Sequence, residues 1–502
     1  MLQNSPTDGN TETEKVSAPA LKDMPRIILS AGSSSSGKTT ITIGLLAALT
    51  EAGYNVQPYK VGLDYIDPSY YSEITGRRAR NIDGFLMEEE SVRDVFVHGC
   101  EVDGEADIAI IEGVRGLYEG FDSFTDVGST AQIAKILKCS VILIINARSI
   151  TRSAAALVGG FRDFDKDVHI AGVILNNIGG PRHAKKAREA IEFYTRIPVI
   201  GIIPRNSSMK ISMRHLGLVP AIEERRRADN FDERTNFIRD TIKEGVDIDR
   251  LLDIAHTAPP LERPKDTVFS LRETEGERPV IGVALDEAFN FYYHDNLELL
   301  QLAGADIRYF SPIHDSLLPD VDGLYIGGGY PELFAAELEN NVSMREDILD
   351  ASRSGLPIYA ECGGLMYLTE KLTTGVKGKG TYHMAEMPES THDMVGALPG
   401  HTLMGHKRVV SYNIGSLSMD TVIGRTGNSF RGHEFHHSEV TGLPKDAKFA
   451  IRLSRGTGII DGWDGLTVNN TLGCYAHLVA SSYREFAGSF VGFVMQNMHK
   501  IQ

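Results

Sequence analysis

The segment Gly32-Ser-Ser-Ser-Ser-Gly37-Lys38-Thr39 fits the pattern GxxxxGK[ST], and it sits between an apolar strand pattern, RIILSA, and a helix-length stretch, TTITIGLLAALTEAG. Few local features restrict a fold more. Glycines let the backbone curl so that amide N–H groups converge on phosphate oxygens, and the helix N-terminus adds partial positive charge. In that setting Gly32 and Gly37 shape the loop, Lys38 is expected to neutralise β/γ-phosphate charge, and Thr39 is expected to hold Mg²⁺. Thr40 joins them as a nucleotide-binding residue in the first helical turn.

From residue 25 to residue 258, near-continuous apolar segments alternate with helical ones: RIILSAG, NVQPYKVG, DIAIIEGV, SVILIINA, VHIAGVILNN and VIGIIP. Such strands are buried on both faces, which predicts a doubly wound α/β domain with a parallel sheet. Residues 259–278 are rich in charge and proline, lack either apolar period, and read as a linker. A second α/β pattern fills residues 279–502, with PVIGVALDEA, ADIRYFSP, GLYIGGG and PIYAE as strands and SYREFAGSFVGFVMQNMHK as a closing amphipathic helix. A chain of 502 residues is expected to split in this way, since single cores rarely grow so large.

Two acidic motifs follow at strand ends, where open parallel sheets bind ligands. They are Lys60-Val-Gly-Leu-Asp64-Tyr65-Ile66-Asp67-Pro68 and Glu112-Gly-Val-Arg-Gly-Leu-Tyr118-Glu119-Gly120. Asp64 and Glu112 are expected to share Mg²⁺ with Thr39, because a hard cation takes oxygen ligands. Lys60 is placed to touch the γ-phosphate from the facing loop.

In the second half, the strand PIYAE runs into Cys362-Gly363-Gly364 and then a helical stretch. A nucleophile on a tight strand-to-helix turn between small residues is the elbow arrangement: the side chain is exposed while the next N–H and the helix terminus favour anionic charge. Gly363 is one oxyanion donor, and Gly328 or Gly329, in the turn after GLYI, the other. The base must be a histidine distant in sequence, and His477 at the end of an apolar strand is the first choice. The run His433-Glu434-Phe435-His436-His437 matches no common zinc spacing and reads as pocket lining. Cys474 reads as structural.

The net charge of −16 argues against a general nucleic-acid or anionic-membrane surface, so anionic substrates must find specific cationic groups. Four irregularly spaced cysteines suit a reducing compartment. No run approaches 18 apolar residues, and residues 1–24 have the composition of a disordered tail, so a cytoplasmic protein without a membrane span is expected.

Taken together, AGSSSSGKTT, KVGLDYIDP, EGVRGLYEG, IGGGYPELF, YAECGGLMYL, RGHEFHHSE and CYAHL resemble the a,c-diamide synthases of tetrapyrrole biosynthesis, a family that acts on cobyrinate and on Ni-sirohydrochlorin. The resemblance runs from about Arg26 to the last helix. It implies a dethiobiotin-synthetase-like ATP domain followed by a class I glutamine amidotransferase-like domain. It further implies Cys362 as glutaminase nucleophile, His477 as its base, and Asp64, Tyr65, Asp67, Glu112 and Glu119 at positions used for ATP, metal and substrate. Asn176 and Asn177, ending the strand GVILNN, match a strand end that reads adenine in related ATP domains. The implied partners are small molecules, namely ATP, L-glutamine and a tetrapyrrole polycarboxylate, with a homodimer as a further assembly to test.

Two departures from the wider pattern stand out. Class I amidotransferases usually carry a Glu two residues after the histidine, where this chain has Val479, so the imidazole is expected to lack its orienting carboxylate, as in the tetrapyrrole branch. Glu119 stands where relatives often have Asp. The competing readings are cobyric acid synthase, which shares both domain types, and the partition and septum-positioning ATPases. The latter carry an extra lysine early in the P-loop, where this chain has serines, and need no cysteine elbow.

Overall fold

A computed structural model describes residues 21–209, 213–214, 217–218, 222, 231–269, 277–375 and 389–498. Residues 1–20 of the expected tail and 270–276 of the expected linker therefore lie outside the described residues. In the first half, seven strands form one sheet in the order Arg80–Ile82, Val56–Val61, Ile108–Glu112, Arg26–Ala31, Ser140–Asn146, Ile170–Ile178, Val199–Pro204. Every neighbouring pair is parallel.

Both faces of this sheet are apolar, as the continuous strands required. Ile28, Ile111, Leu143 and Leu175 belong to one buried layer. Ile27, Ile110, Ile142 and Ile174 belong to the other, packed against Ile41, Leu45, Leu46 and Leu49 of the helix Lys38–Glu51. This packing fixes the helix with its N-terminus at the carboxyl end of the sheet, where the phosphate loop opens.

The second half has a mixed sheet whose parallel part runs Asp306–Phe310, Val280–Ala284, Gly323–Ile326, Ile358–Glu361, Thr471–Cys474. It continues through antiparallel strands into the long hairpin His401–Leu417 and Ser429–Thr441, and Gly432 and His433 of the latter pair with Leu478 and His477. That last pairing brings the histidine run beside the candidate base. The expected closing helix is present as Glu485–Asn497.

The two halves are packed, not tethered. Arg80, fully buried, reaches across to Asp295 Oδ1 and Glu298 Oε2 on the helix His294–Leu302, each at 2.5 Å. Removing one partner of such a buried cluster leaves uncompensated charge and costs about 3–5 kcal/mol. Tyr412 donates to Asp83 at 2.6 Å and Ser482 to the Leu86 carbonyl at 2.8 Å. The described ends of the expected tail and linker make contacts of their own. Leu21–Lys22 pair antiparallel with Leu261–Glu262, and Val268 donates to Asp94 at 2.5 Å, so both segments dock on the first half.

Candidate active site

The nucleotide end is built around Gly37, whose φ of 95° is open to glycine without strain. A Cβ there would lie 2.2 Å from Asn176 Nδ2, which instead donates to the Ser36 carbonyl at 2.9 Å. Asn176 thus braces the loop, and Asn177, at φ 61°, donates to Asn146 at 3.0 Å. Lys38 donates to the carbonyl of Arg115 and lies 3.5 Å from that of Ser33. Burial pulls its pKa down, against the nearby charge of Glu112.

Thr39 Oγ1 lies 2.8 Å from Glu112 Oε1 and 3.1 Å from Asp67 Oδ2, while half-buried Thr40 follows it in the helix. Lys60 Nζ bridges the same carboxylates, 2.6 Å from Asp67 and 3.0 Å from Glu112. Of the two aspartates it is Asp67 that joins the Thr39 cluster, whereas Asp64 Oδ1 accepts the N–H groups of Ile66 and Asp67 at 2.8 and 3.1 Å. Lys60 is spent on carboxylates rather than left facing a phosphate. Burial pushes Glu112 up to about 7, offset by Lys60, and burial with the Asp67 charge pushes Asp64 up to about 6.

These donors suit Mg²⁺. Glu112 Oε2 is buried with the Lys60 ammonium at 3.0 Å, and the Thr39 hydroxyl and the Asp67 carboxylate beside it are hard oxygen ligands. Among the described residues no group of three or more His, Cys, Asp or Glu is placed to hold a metal alone.

The cysteine end is an elbow in fact as well as in sequence. Cys362 sits at φ 46°, ψ −97°, a strained setting for a side-chain-bearing residue, between the strand Ile358–Glu361 and the helix Gly363–Leu368. Its N–H donates to the Cys474 carbonyl at 2.7 Å, which holds the turn. A Cβ on Gly363 would lie 2.9 Å from the Gly329 nitrogen, and one on Gly328 would lie 2.7 Å from His477 Cε1. The turn Gly328–Gly329 is thus wedged between the nucleophile's turn and the imidazole, and only glycine fits.

Cys362 is nearly buried, at 6% exposure, and burial pushes its thiol pKa up, opposed by the Gly363 N–H. A base is needed. The sulfur lies 3.7 Å from the Phe435 carbonyl, and among the described residues no hydrogen bond joins it to His477. His477 Nδ1 faces Glu361 Oε2 at 3.4 Å. A carboxylate does stand beside the imidazole, supplied by the residue before the nucleophile and not by position 479. Cys474 is buried, with its sulfur 3.1 Å from the Ala476 carbonyl.

Between the two ends lies a cavity of about 300 Å³. Asp64, Tyr65, Arg115 and Glu119 line it from the first half, and His433, Glu434, Phe435 and Arg455 from the second. The histidine run lines the pocket in part, for His436 stacks instead on Tyr475 with centroids 3.7 Å apart. Beside the cavity Tyr65 Oη and Tyr293 Oη lie 3.2 and 2.7 Å from His433 Nε2, and the His433 ring stacks on His477 at 4.8 Å. Burial drives the His433 pKa well below its usual value, favouring its neutral imidazole.

Comparison with known proteins matches residues 280–485 to the CobB/CobQ-like glutamine amidotransferase domain and residues 27–219 to the CobQ/CobB/MinD/ParA nucleotide binding domain. Cobyrinate a,c-diamide synthase of Methanosarcina barkeri is 66% identical over 94% of this chain and 96% of its own length. That of Methanosarcina acetivorans is 66% identical over 93% and 95%. The counterpart from Methanothermobacter thermautotrophicus is 45% identical over 93% and 98%. The chain belongs to the cobyrinate a,c-diamide synthase family. It is a glutamine-dependent amide ligase.

Membership in the family of a,c-diamide synthases sets aside the switch-ATPase reading, because residues 280–485 are an amidotransferase domain. It also gives the interdomain cavity a meaning, since a ligase must bring released nitrogen and activated acid together. Sequence reasoning missed Glu361, Tyr293 and Arg455. The first read as strand interior, while Tyr293 and Arg455 become visible only when distant segments meet. Among the described residues no helix is long and apolar enough to cross a membrane.

Proposed function

We propose that the chain uses ATP to activate the a- and c-acetate carboxylates of a tetrapyrrole, cobyrinate and/or Ni-sirohydrochlorin, and amidates them in turn with ammonia from glutamine. The observation that carries this reading is the cavity bounded on one side by Asp64, Glu119 and Arg115, whose carbonyl accepts from Lys38, and on the other by Phe435, the neighbour of Cys362. In a chain of charge −16, Arg115 and Arg455 supply the cationic groups that a polycarboxylate needs, and Phe121, Phe291 and Tyr412 supply aromatic faces. A space of about 300 Å³ takes one edge of a macrocycle, which presents one acetate at a time.

A carboxylate has too poor a leaving group for ammonia to displace, so the acid first takes the γ-phosphoryl group of ATP and becomes an acyl phosphate. That step needs charge neutralisation and alignment more than covalent help from the protein. Lys38 turns from the Arg115 and Ser33 carbonyls to the phosphates. Thr39, Glu112 and the aspartates of DYIDP would hold Mg²⁺, which would supply neutralisation of phosphate charge. Lys60 meets the γ-phosphate only if its pair with Asp67 and Glu112 opens. Asn177 is the remaining candidate for the adenine, since Asn176 braces the loop.

Cys362 attacks the glutamine side-chain amide after His477 takes its proton, the oxyanion rests on the N–H groups of Gly363 and of Gly328 or Gly329, and ammonia leaves as a thioester forms. Water then clears the thioester and releases glutamate. Tyr65, stacked on Phe291 and bonded to His433, belongs to the layer that ammonia passes on its way to Asp64 and Glu119. The relatives' name favours cobyrinate, and it favours the a,c branch over cobyric acid synthase. Purified enzyme given cobyrinic acid and Ni-sirohydrochlorin side by side is expected to add two amides to cobyrinic acid by mass spectrometry. Four added amides, or none on either macrocycle, would refute the assignment.

A further inference from the structure

We propose that Glu361 is the positioning carboxylate of His477, a role that rests on the glutaminase reading of Cys362 and His477. Glu361 is 1% exposed, and among the described residues no lysine or arginine pairs with it. The base-forming group beside it is the imidazole, with Nδ1 at 3.4 Å from Oε2. That nitrogen is buried and has no other hydrogen-bond partner. A separation slightly beyond hydrogen-bonding range is common in apo sites and tightens when substrate binds.

The carboxylate is itself fixed from three directions. Tyr359 Oη donates to Oε1 at 2.7 Å, the Leu478 N–H donates to Oε1 at 3.1 Å, and Tyr325 Oη donates to Oε2 at 3.2 Å. Leu478 is the residue after the histidine, so one backbone segment carries the imidazole and grips its partner. The parallel pairing of Glu361 with Cys474 locks the same register.

The consequence is a choice of tautomer. A carboxylate only accepts, so it selects the imidazole with hydrogen on Nδ1 and leaves a lone pair on Nε2. The edge bearing Nε2 lies against the Gly328–Gly329 turn, on which the Cys362 elbow is packed. The thiol proton passes to Nε2, the sulfur bonds to the amide carbon, and the same proton leaves with ammonia. Glu361 accepts from Nδ1 and steadies the imidazolium in between. The position is unusual because nucleophile and orienting acid are adjacent residues, sent to opposite sides by the strained elbow.

Glu361→Gln tests this directly. The amide keeps an acceptor for Tyr359 and Leu478 but offers an N–H to Nδ1, which forces the imidazole hydrogen onto Nε2. The expected result is a fall in glutamine-driven kcat of roughly 10³–10⁴-fold, as for the wrong tautomer in a hydrolase triad, with KM for glutamine changed by a small factor. Ammonium-driven synthesis, which bypasses the imidazole, continues. Tyr325→Phe, which frees Oε2 from one hydrogen bond, is expected to lower glutamine-driven kcat by about 5–10-fold. Glutamine-driven kcat retained in Glu361→Gln while Cys362→Ser has lost it would overturn this inference alone. Equal loss with both nitrogen sources would also overturn it, by making the carboxylate structural. Should Glu361→Gln fail to fold, an unchanged kcat in folded Tyr325→Phe would do the same. Glutamine use surviving in Cys362→Ser would instead remove the reading beneath it.

Discussion

Cys362→Ser is expected to lower glutamine-driven synthesis by roughly 10³-fold or more, while synthesis from ammonium salts at a pH rich in free ammonia stays near the parent rate. The reason is local. The thiol stands on a strained elbow at φ 46°, facing the Gly363 N–H and next to the turn that carries the other oxyanion candidates. A serine hydroxyl fits the space but is a far weaker nucleophile toward an amide in a site tuned for sulfur. Burial already holds the Cys362 thiol protonated at rest, so its loss removes a group that depends on a base, not a standing thiolate. Parallel assays with the two nitrogen sources measure the effect, and retained glutamine use would contradict the assignment.

Lys38→Ala is expected to do the converse. Product from glutamine and from ammonium should fall together, on the order of 10²–10³-fold, because the missing charge belongs to acid activation and not to nitrogen release. Glutamine hydrolysis by the second half should remain measurable. Structurally the variant is mild, since Lys38 ends on the carbonyls of Arg115 and Ser33 and, among the described residues, enters no buried ion pair. A variant that still makes product from ammonium at the parent rate would refute the phosphate role of the loop. The pair of substitutions therefore separates the two half-reactions along the domain boundary.

Much of this was legible in the residues. The phosphate loop, the elbow at Cys362 and the parallel strands of both halves each have local causes: a glycine pattern, a small-residue turn and unbroken apolar runs. What stayed hidden depends on contacts between distant segments. Asp64 and Asp67 are three residues apart and chemically alike, and only the helix cap at Asp64 tells them apart. Glu361 reads as one more buried strand residue until His477, far along the chain, folds back beside it. Tyr65, Tyr293 and His433 come from three separate segments, and nothing in their neighbours' sequence announces that they meet. Asn176 was placed at the nucleotide by its strand end, but the space left by Gly37 turns it into a brace.

The central claim is that nitrogen freed at Cys362 travels inside the molecule to an acid activated at the Lys38 site. The mass of the product made from amide-¹⁵N glutamine in the presence of excess unlabelled ammonium, near neutral pH, tests it most directly. Two amides both carrying ¹⁵N are predicted. Product carrying mainly unlabelled nitrogen would mean that ammonia reaches the acid through solvent, and would contradict the account.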